Sequence, residues 1–148
     1  MHKFLAFLLI CSASYGTVTA QLRKIPAECT DAFKNQYPTG SQASWSDKLS
    51  YFQVNFSMDS GIYIAKYDSK GVWKGSEQTV TTDKLPAQVK EGYDKSKYTD
   101  EWKIKECTVL YLTGNVMEYR LLIRKSGIQK RYLLFNASGK LLSENSTL

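Results

Sequence analysis

Nearly the same phrase of nine residues occurs twice in this chain, and this repetition constrains the fold more than any other feature of the sequence. The first copy, IPAECTDAF, begins at Ile25, and the second, LPAQVKEGY, begins at Leu85. Matched positions are apolar, small or proline, and polar or charged residues lie between them. Apolar residues three, four and seven positions apart line one face of an α-helix. Each copy therefore predicts a short amphipathic helix, over about 26–36 and 86–95.

Seven strand-like segments follow the predicted helices: LSYFQVNFSM, GIYIAKYD and GVWKGSEQTV after the first, and EWKIKECTVLYLT, VMEYRLLIRK, IQKRYLLFN and KLLSE after the second. Alternate residues from Phe52 to Phe56, and again from Tyr119 to Ile123, are apolar. Turns rich in Asp, Asn, Ser and Gly separate these segments, as expected for antiparallel hairpins. The later strands also repeat, with IAKYDSKGVW matching RYLLFNASGKLL and Asp68 matching Asn136. We expect both side chains to hold their turns by hydrogen bonding to backbone amides.

These patterns predict an α+β domain built from two tandem repeats, over about 25–83 and 84–148. Each repeat combines one helix with antiparallel strands. One helix over a few strands buries too little apolar surface to be stable alone, whereas two copies can share one sheet and one core. We therefore expect a single curved sheet with both helices on one of its faces.

The first 20 residues have the organisation of a secretory signal peptide, with Lys3 before an apolar run and small residues before Ala20. The apolar run is too short to cross a bilayer, so we expect no membrane anchor. Cleavage would leave residues 21–148 as one domain in the periplasm or outside the cell. That part carries 19 basic and 14 acidic side chains, which alternate without forming a basic stripe. We expect no nucleic-acid partner.

Little catalytic chemistry is available to residues 21–148. The only histidine, His2, lies in the predicted signal peptide. Its loss excludes histidine-based catalytic triads, Cys-His nucleophile pairs and zinc sites with imidazole ligands. The sequence also lacks a glycine-rich phosphate loop and a Cys-x-x-Cys motif. We predict a protein that is not an enzyme and that uses no metal and no cofactor.

Two cysteines, Cys29 and Cys107, lie after the predicted signal peptide. In an oxidising compartment they could form a disulfide. The alternative is that both are small buried hydrophobic residues. Cys29 occupies the position of Val89 in the second copy of the phrase, which directs its side chain toward the core. The sequence leaves both alternatives open.

Aromatic residues supply the candidate binding site. If the helices cover one side of the sheet, the other side carries several rings with basic residues nearby. Tyr, Trp and Arg are the residues that most often anchor protein interfaces. The alternative is that the rings only stabilise pairs of side chains across neighbouring strands. The candidate binding residues are Tyr51, Tyr63, Trp73, Tyr111, Arg120 and Tyr132.

The spacing of core and turn residues resembles a known family. The pattern (I/L)P-x-x-(V/C)-x-x-(A/G)-(F/Y), then YP…W, then Y-x-V-x-F…G…A-x-(Y/F)-D-x-x-G-x-W covers nearly all of residues 21–148. It is similar to the PepSY-like proteins of bacteria of the Bacteroidetes kind, whose fold is related to that of the β-lactamase inhibitory protein. The residues that carry the resemblance are Ile25, Pro26, Phe33, Tyr37, Pro38, Trp45, Tyr51, Val54, Phe56, Gly61, Ala65, Tyr67, Asp68, Gly71 and Trp73.

The resemblance implies tandem helix-plus-strand units in one curved sheet, and a periplasmic or secreted location. The inhibitory relative grips a folded enzyme with its open sheet face, and PepSY modules are associated with the restraint of peptidases. No motif here carries either target over. The second copy also departs from the pattern, because Asn136 replaces the Asp and the final Trp is missing.

We therefore predict an exported, monomeric, non-catalytic domain that binds a protein or peptide, in an inhibitory role or otherwise, through the open sheet face. Nearby Lys and Arg side chains would favour an acidic partner. The alternative is a small-molecule-binding or sensing module of the cell envelope, with a pocket between the sheet and the helices. A partner-binding face should be broad and shallow, whereas a ligand site should be an enclosed pocket.

Overall fold

Two α-helices pack on one antiparallel sheet of eight strands in the computed structural model, which describes residues 23–147. The predicted signal peptide, residues 1–20, lies outside this range. Helix α1 spans Ala27–Gln36 and helix α2 spans Ala87–Asp94, which confirms the helices expected from the duplicated phrase. No helix in the described range is long and apolar enough to cross a membrane.

The strands lie in chain order across the sheet, and each pairs antiparallel with the next. Their bounds are β1 Ser41–Asp47, β2 Phe52–Met58, β3 Gly61–Tyr67, β4 Trp73–Val80, β5 Lys103–Leu112, β6 Val116–Arg124, β7 Lys130–Asn136 and β8 Leu141–Thr147. Strands β2 to β8 were expected from alternation, but β1 was not. Its segment, SQASWSD, has only Ala43 and Trp45 as apolar residues, which are too few to establish an alternating pattern. Pairing with β2 defines this strand.

The core consists of two clusters of buried side chains, one beneath each helix and both on the same side of the sheet. Beneath α1, Phe33 packs with residues that include Phe52 and Phe56. Beneath α2, Val89 packs with residues that include Leu121. Burying one large apolar side chain stabilises the fold by roughly 1.5–3 kcal/mol. Because both clusters lie on the same side of the sheet, the expectation of helices on one face of a single sheet is confirmed.

The possible disulfide between Cys29 and Cys107 is absent, and both cysteines are free and buried. Cys29 belongs to the cluster beneath α1, whereas Cys107 on β5 belongs to the cluster beneath α2, so the two thiols lie in different parts of the core. Burial raises the pKa of both thiols, that of Cys107 to about 11. Both side chains are therefore uncharged hydrophobic groups at neutral pH, which is the second alternative from the sequence.

The two matched turns have the same hydrogen bonds. The side-chain Oδ1 of Asp68 accepts from two backbone amides of its own turn, at 2.9 and 3.0 Å. The Oδ1 of Asn136 also accepts from two amides of its turn, at 3.1 and 2.9 Å. This confirms the role expected for both residues. The turns occupy equivalent places, since β3 and β4 follow α1 as β7 and β8 follow α2.

Candidate functional site

The side of the sheet opposite the two helices is called here the open face, and its centre is formed by Lys66, Glu77, Arg120 and Tyr132. These residues lie on strands β3, β4, β6 and β7. Successive residues of a strand point to opposite sides of the sheet. Leu121, next to Arg120, is fully buried in the core. The alternation that buries the apolar side of each strand thus directs the charged residues to the open face.

Glu77 joins two cations at the centre of the open face. Its Oε1 lies 2.5 Å from Nζ of Lys66, and its Oε2 lies 2.7 Å from an Nη of Arg120. Burial alone would raise the pKa of Glu77, but the hydrogen bonds from the two cations outweigh burial and lower the pKa below its ordinary value. Glu77 is therefore ionised at neutral pH, and the three side chains together carry one net positive charge.

Two tyrosine rings contact these cations. The guanidinium carbon of Arg120 lies 5.6 Å from the ring centroid of Tyr132, and Nζ of Lys66 lies 5.8 Å from that of Tyr51. Both distances are within the range of cation–π attraction. The Nε of Arg120 is buried without a hydrogen-bond partner among the described residues. The ion pairs with Glu77 and the contacts with the two rings thus hold the side chains of Lys66 and Arg120 in place before any partner binds.

The centre of the open face has only a small depression. A depression of about 190 Å³ lies beside Arg120 and is lined by residues that include Ile62 and Ile64. This volume is below the roughly 300 Å³ at which small-molecule pockets begin. Ile62 is 70% exposed, which is a large exposed fraction for an isoleucine within a strand. The open face therefore combines fixed charge, rings and an exposed apolar residue on one broad surface.

The six candidate binding residues do not share one surface. Arg120 and Tyr132 lie on the open face, and Tyr51 lies beside it through its contact with Lys66. Tyr63, Trp73 and Tyr111 lie on the helix side, so the expectation that they face away from the helices is wrong.

The reason for two of these misplacements is strand alternation. Tyr63 shares its side of β3 with Ala65, and Tyr111 shares its side of β5 with Val109; both neighbours are buried in the core. Trp73 lies beside an irregularity in the pairing of β3 with β4, where Tyr67 pairs with Trp73 but Lys66 pairs with Gly75. Its indole Nε1 donates to Oγ of Ser76 at 2.8 Å, which holds the ring on the helix side.

The rings of Tyr63, Trp73 and Tyr111 line a pocket of about 410 Å³ on the helix side. It lies where the C-terminal end of α1 approaches the β5–β6 turn, between the two halves of the fold. We call it the junction pocket, and define it by Tyr37, Met58, Tyr63, Trp73, Tyr111 and Met117. The single sheet thus carries a broad face on one side and a concave site on the other.

Internal hydrogen bonds fix the polar groups of the junction pocket. The Tyr37 hydroxyl and Oγ of Ser76 are 2.7 Å apart, and the Tyr111 hydroxyl donates to Gln78 at 2.9 Å. Burial raises the pKa of both tyrosines, so the hydroxyls are neutral at physiological pH. The pocket therefore presents uncharged rings whose orientations are already set.

Sequence reasoning missed several residues of both surfaces. Lys66 could have been found, because it alternates with the core residue Ala65. The link between Lys66 and Glu77 depends on the pairing of β3 with β4 and is not visible in either segment alone. Met58 and Met117 have no sequence signal of their own, since they come to the same pocket only when the hairpins pack. Within residues 23–147, no group of three or more His, Cys, Asp or Glu side chains is placed to hold a metal ion.

Comparison with solved structures finds the same arrangement in proteins from Bacteroides species. A DUF2874 family protein from Bacteroides uniformis ATCC 8492 superposes with a TM-score of 0.77 and 21% identity, covering 82% of this chain and 88% of that chain. A BLIP-like protein from Bacteroides fragilis NCTC 9343 gives 0.77 and 22%, covering 84% and 88%. A protein from Bacteroides eggerthii DSM 20697, whose name proposes a periplasmic location, gives 0.76 and 21%, covering 84% and 90%.

No protein-family model matches the sequence, and a search of curated proteins also finds no match. At identities near one fifth, the likeness to solved structures concerns the fold. The chain therefore has the α+β fold that these Bacteroides proteins share, one of which is named BLIP-like, and this is the fold that the sequence resemblance predicts.

Proposed function

We propose that this chain is an exported, monomeric, non-catalytic protein that binds a folded protein or a peptide through its open face. The observation that carries the proposal is the network of Lys66, Glu77 and Arg120 beside Tyr132, at the centre of a broad sheet surface. The fold supports the proposal, because one structural neighbour is named BLIP-like. Export is supported by the signal-like first 20 residues and by the name of another neighbour, which proposes a periplasmic location.

The size of the open face suits a protein partner. Eight strands spaced by about 4.8 Å, with about seven residues per strand at roughly 3.3 Å each, give a surface of roughly 34 by 23 Å. That is about 780 Å², close to the roughly 800 Å² that each partner contributes to a standard interface. A peptide or a small protein could thus cover the face without rearrangement of the sheet.

The net positive charge of the network of Lys66, Glu77 and Arg120 favours an acidic partner. Two cations share the single carboxylate of Glu77, so Lys66 and Arg120 retain attraction for another anion. Both cationic side chains are about one third exposed, although Nε of Arg120 is itself buried. Because Tyr132 and Glu77 already hold Arg120, less side-chain entropy is lost when it binds. Arginine and tyrosine in this arrangement are typical anchors of protein interfaces.

The test is capture of partners from an envelope extract of the organism that encodes the chain, with residues 21–148 as bait and chemical crosslinking. Ile62→Glu and Tyr132→Ala alter the open face, and we expect each to reduce capture of a specific partner by about tenfold or more. Ile128→Glu is the matched control, because Ile128 is 90% exposed in the β6–β7 turn and is not part of the open face.

A partner captured equally by all three variants would contradict the proposal. A captured partner should then be purified and titrated against the bait. Arg120→Ala should weaken its affinity by roughly 30-fold, corresponding to about 2 kcal/mol for an interface anchor. The sequence-based alternative, a ligand site between sheet and helices, concerns the junction pocket and therefore a different surface.

A further inference from the structure

We infer that the junction pocket is a second binding site, and that its ligand is an uncharged small molecule containing a flat ring. This site is separate from the open face, because it lies on the helix side of the sheet. Its volume of about 410 Å³ falls within the roughly 300–1,000 Å³ typical of small-molecule sites. Three features of the pocket indicate this class of ligand: its rigid aromatic rings, its uncharged lining and its exposed apolar rim.

The aromatic rings of the pocket are rigid platforms. The Tyr63 ring stacks on Phe56, with centroids 5.5 Å apart and an interplanar angle of 23°. The Tyr37 ring packs on the same Phe56 at 4.7 Å, and the Tyr111 ring lies 6.3 Å from that of Tyr63. Phe56 is itself buried in the core, so these rings are supported from behind. Fixed aromatic surfaces favour flat ring systems, which stack without a large loss of entropy.

The lining selects against charge. No Lys, Arg, Asp, Glu or His side chain is among the described residues that line the pocket. An ionised ligand would lose hydration on entry without gaining a counter-charge, which is costly. The indole of Trp73 and the hydroxyl of Tyr37 already bond to Ser76, so they do not need a charged group to satisfy them.

The rim of the pocket is apolar and exposed. Val116 and Met117 begin strand β6 with exposed fractions of 47% and 44%. Methionine adapts its shape to a ligand and contacts aromatic rings favourably. Asn115, in the adjoining turn, makes no side-chain hydrogen bond to another described residue, and its amide can bond a neutral polar group of the ligand. The pocket is thus apolar along its rings, with one amide at its edge.

A pair of dyes tests both parts of this inference on the chain of residues 21–148. N-phenyl-1-naphthylamine is uncharged and fluoresces more strongly in apolar surroundings. 8-Anilino-1-naphthalenesulfonate carries a similar ring system with an added sulfonate. We expect saturable binding of the neutral dye, and binding of the sulfonate weaker by about tenfold or more, since charge burial is unfavourable. Equal affinities, or no saturable binding of the neutral dye, would overturn the inference.

Two variants locate the dye. Met117→Glu places a carboxylate at the rim, and Leu142→Glu places one on β8, away from the pocket, at the same exposed fraction of 44%. Affinity for the neutral dye should fall about tenfold or more in Met117→Glu and stay unchanged in Leu142→Glu. Circular dichroism should show both variants folded. Equal affinities of the two variants, whether lowered or not, would place the dye elsewhere and refute the assignment.

Discussion

Gly71 and Gly114 have the same positive φ angle, and alanine should be much more destabilising at the first than at the second. Both have φ of +77°, in the left-handed region that favours glycine. A Cβ at Gly71, in the β3–β4 turn, would lie 2.4 Å from the backbone oxygen of Glu28 in α1. A Cβ at Gly114, in the β5–β6 turn, would have nothing within 4 Å. The pair therefore separates backbone strain from collision with the helix.

The expected magnitudes follow from these two contributions. Left-handed geometry costs a residue with a side chain about 1–2 kcal/mol, and both variants lose that much. Only Gly71→Ala must also move the turn away from the backbone of α1, and such overpacking adds about 1–3 kcal/mol. We expect a loss in the free energy of unfolding of about 1–2 kcal/mol for Gly114→Ala and about 2–5 kcal/mol for Gly71→Ala. A domain near the middle of the usual stability range of about 5–15 kcal/mol would remain folded.

Urea denaturation followed by tryptophan fluorescence measures this difference on residues 21–148. Equal losses for Gly71→Ala and Gly114→Ala would refute the close contact between the β3–β4 turn and α1. The second half offers an internal replicate: Gly139 has φ of +81°, and its Cβ would lie 2.0 Å from the backbone oxygen of Gln88 in α2. Gly139→Ala should therefore be at least as destabilising as Gly71→Ala.

Two further predictions concern titratable groups. The folded state lowers the pKa of Glu77, so its ionised form contributes stability that is present above the ordinary value of 4.5 and lost as the pH falls through the lower folded value. Glu77→Gln should therefore be less stable than the unchanged chain by about 1 kcal/mol at pH 7. Urea titrations should show this difference in the free energy of unfolding disappearing below about pH 4.5. A difference that does not change with pH would contradict the ion-pair assignment. Cys29 and Cys107 are buried free thiols of raised pKa, so a thiol reagent at pH 7 should modify neither of them in the folded chain. After unfolding without reductant, the reagent should modify both. If neither thiol reacts after unfolding, the two cysteines form a disulfide.

The two candidate surfaces can be tested independently because they use alternate residues of the same strand. On β4, Glu77 points to the open face, whereas Ser76 and Gln78 point to the helix side and bond to rings of the junction pocket. A substitution of Glu77 leaves Ser76 and Gln78 in place on the helix side, and a substitution of Ser76 or Gln78 leaves Glu77 in place on the open face. Loss of protein capture and loss of dye binding can therefore be assigned to separate sites.

Local pattern in the sequence determined the helices, seven of the eight strands, the turn roles of Asp68 and Asn136, and the side of the sheet on which Arg120 lies. Helix and strand periodicities, and hydrogen bonds within a turn, depend on residues close together in the chain, so a short segment is enough to read them. The resemblance to PepSY-like proteins also rests on such local spacing, and it predicted the fold that the solved structures share.

Tertiary structure alone decided which residues meet. Strand β1 exists because β2 pairs with it, and the separation of Cys29 from Cys107 depends on which helix covers which strands. The junction pocket is a gap between packed elements, and its rings were expected on the other side of the sheet. Contacts between distant segments depend on packing of the whole chain, which no single stretch of sequence encodes.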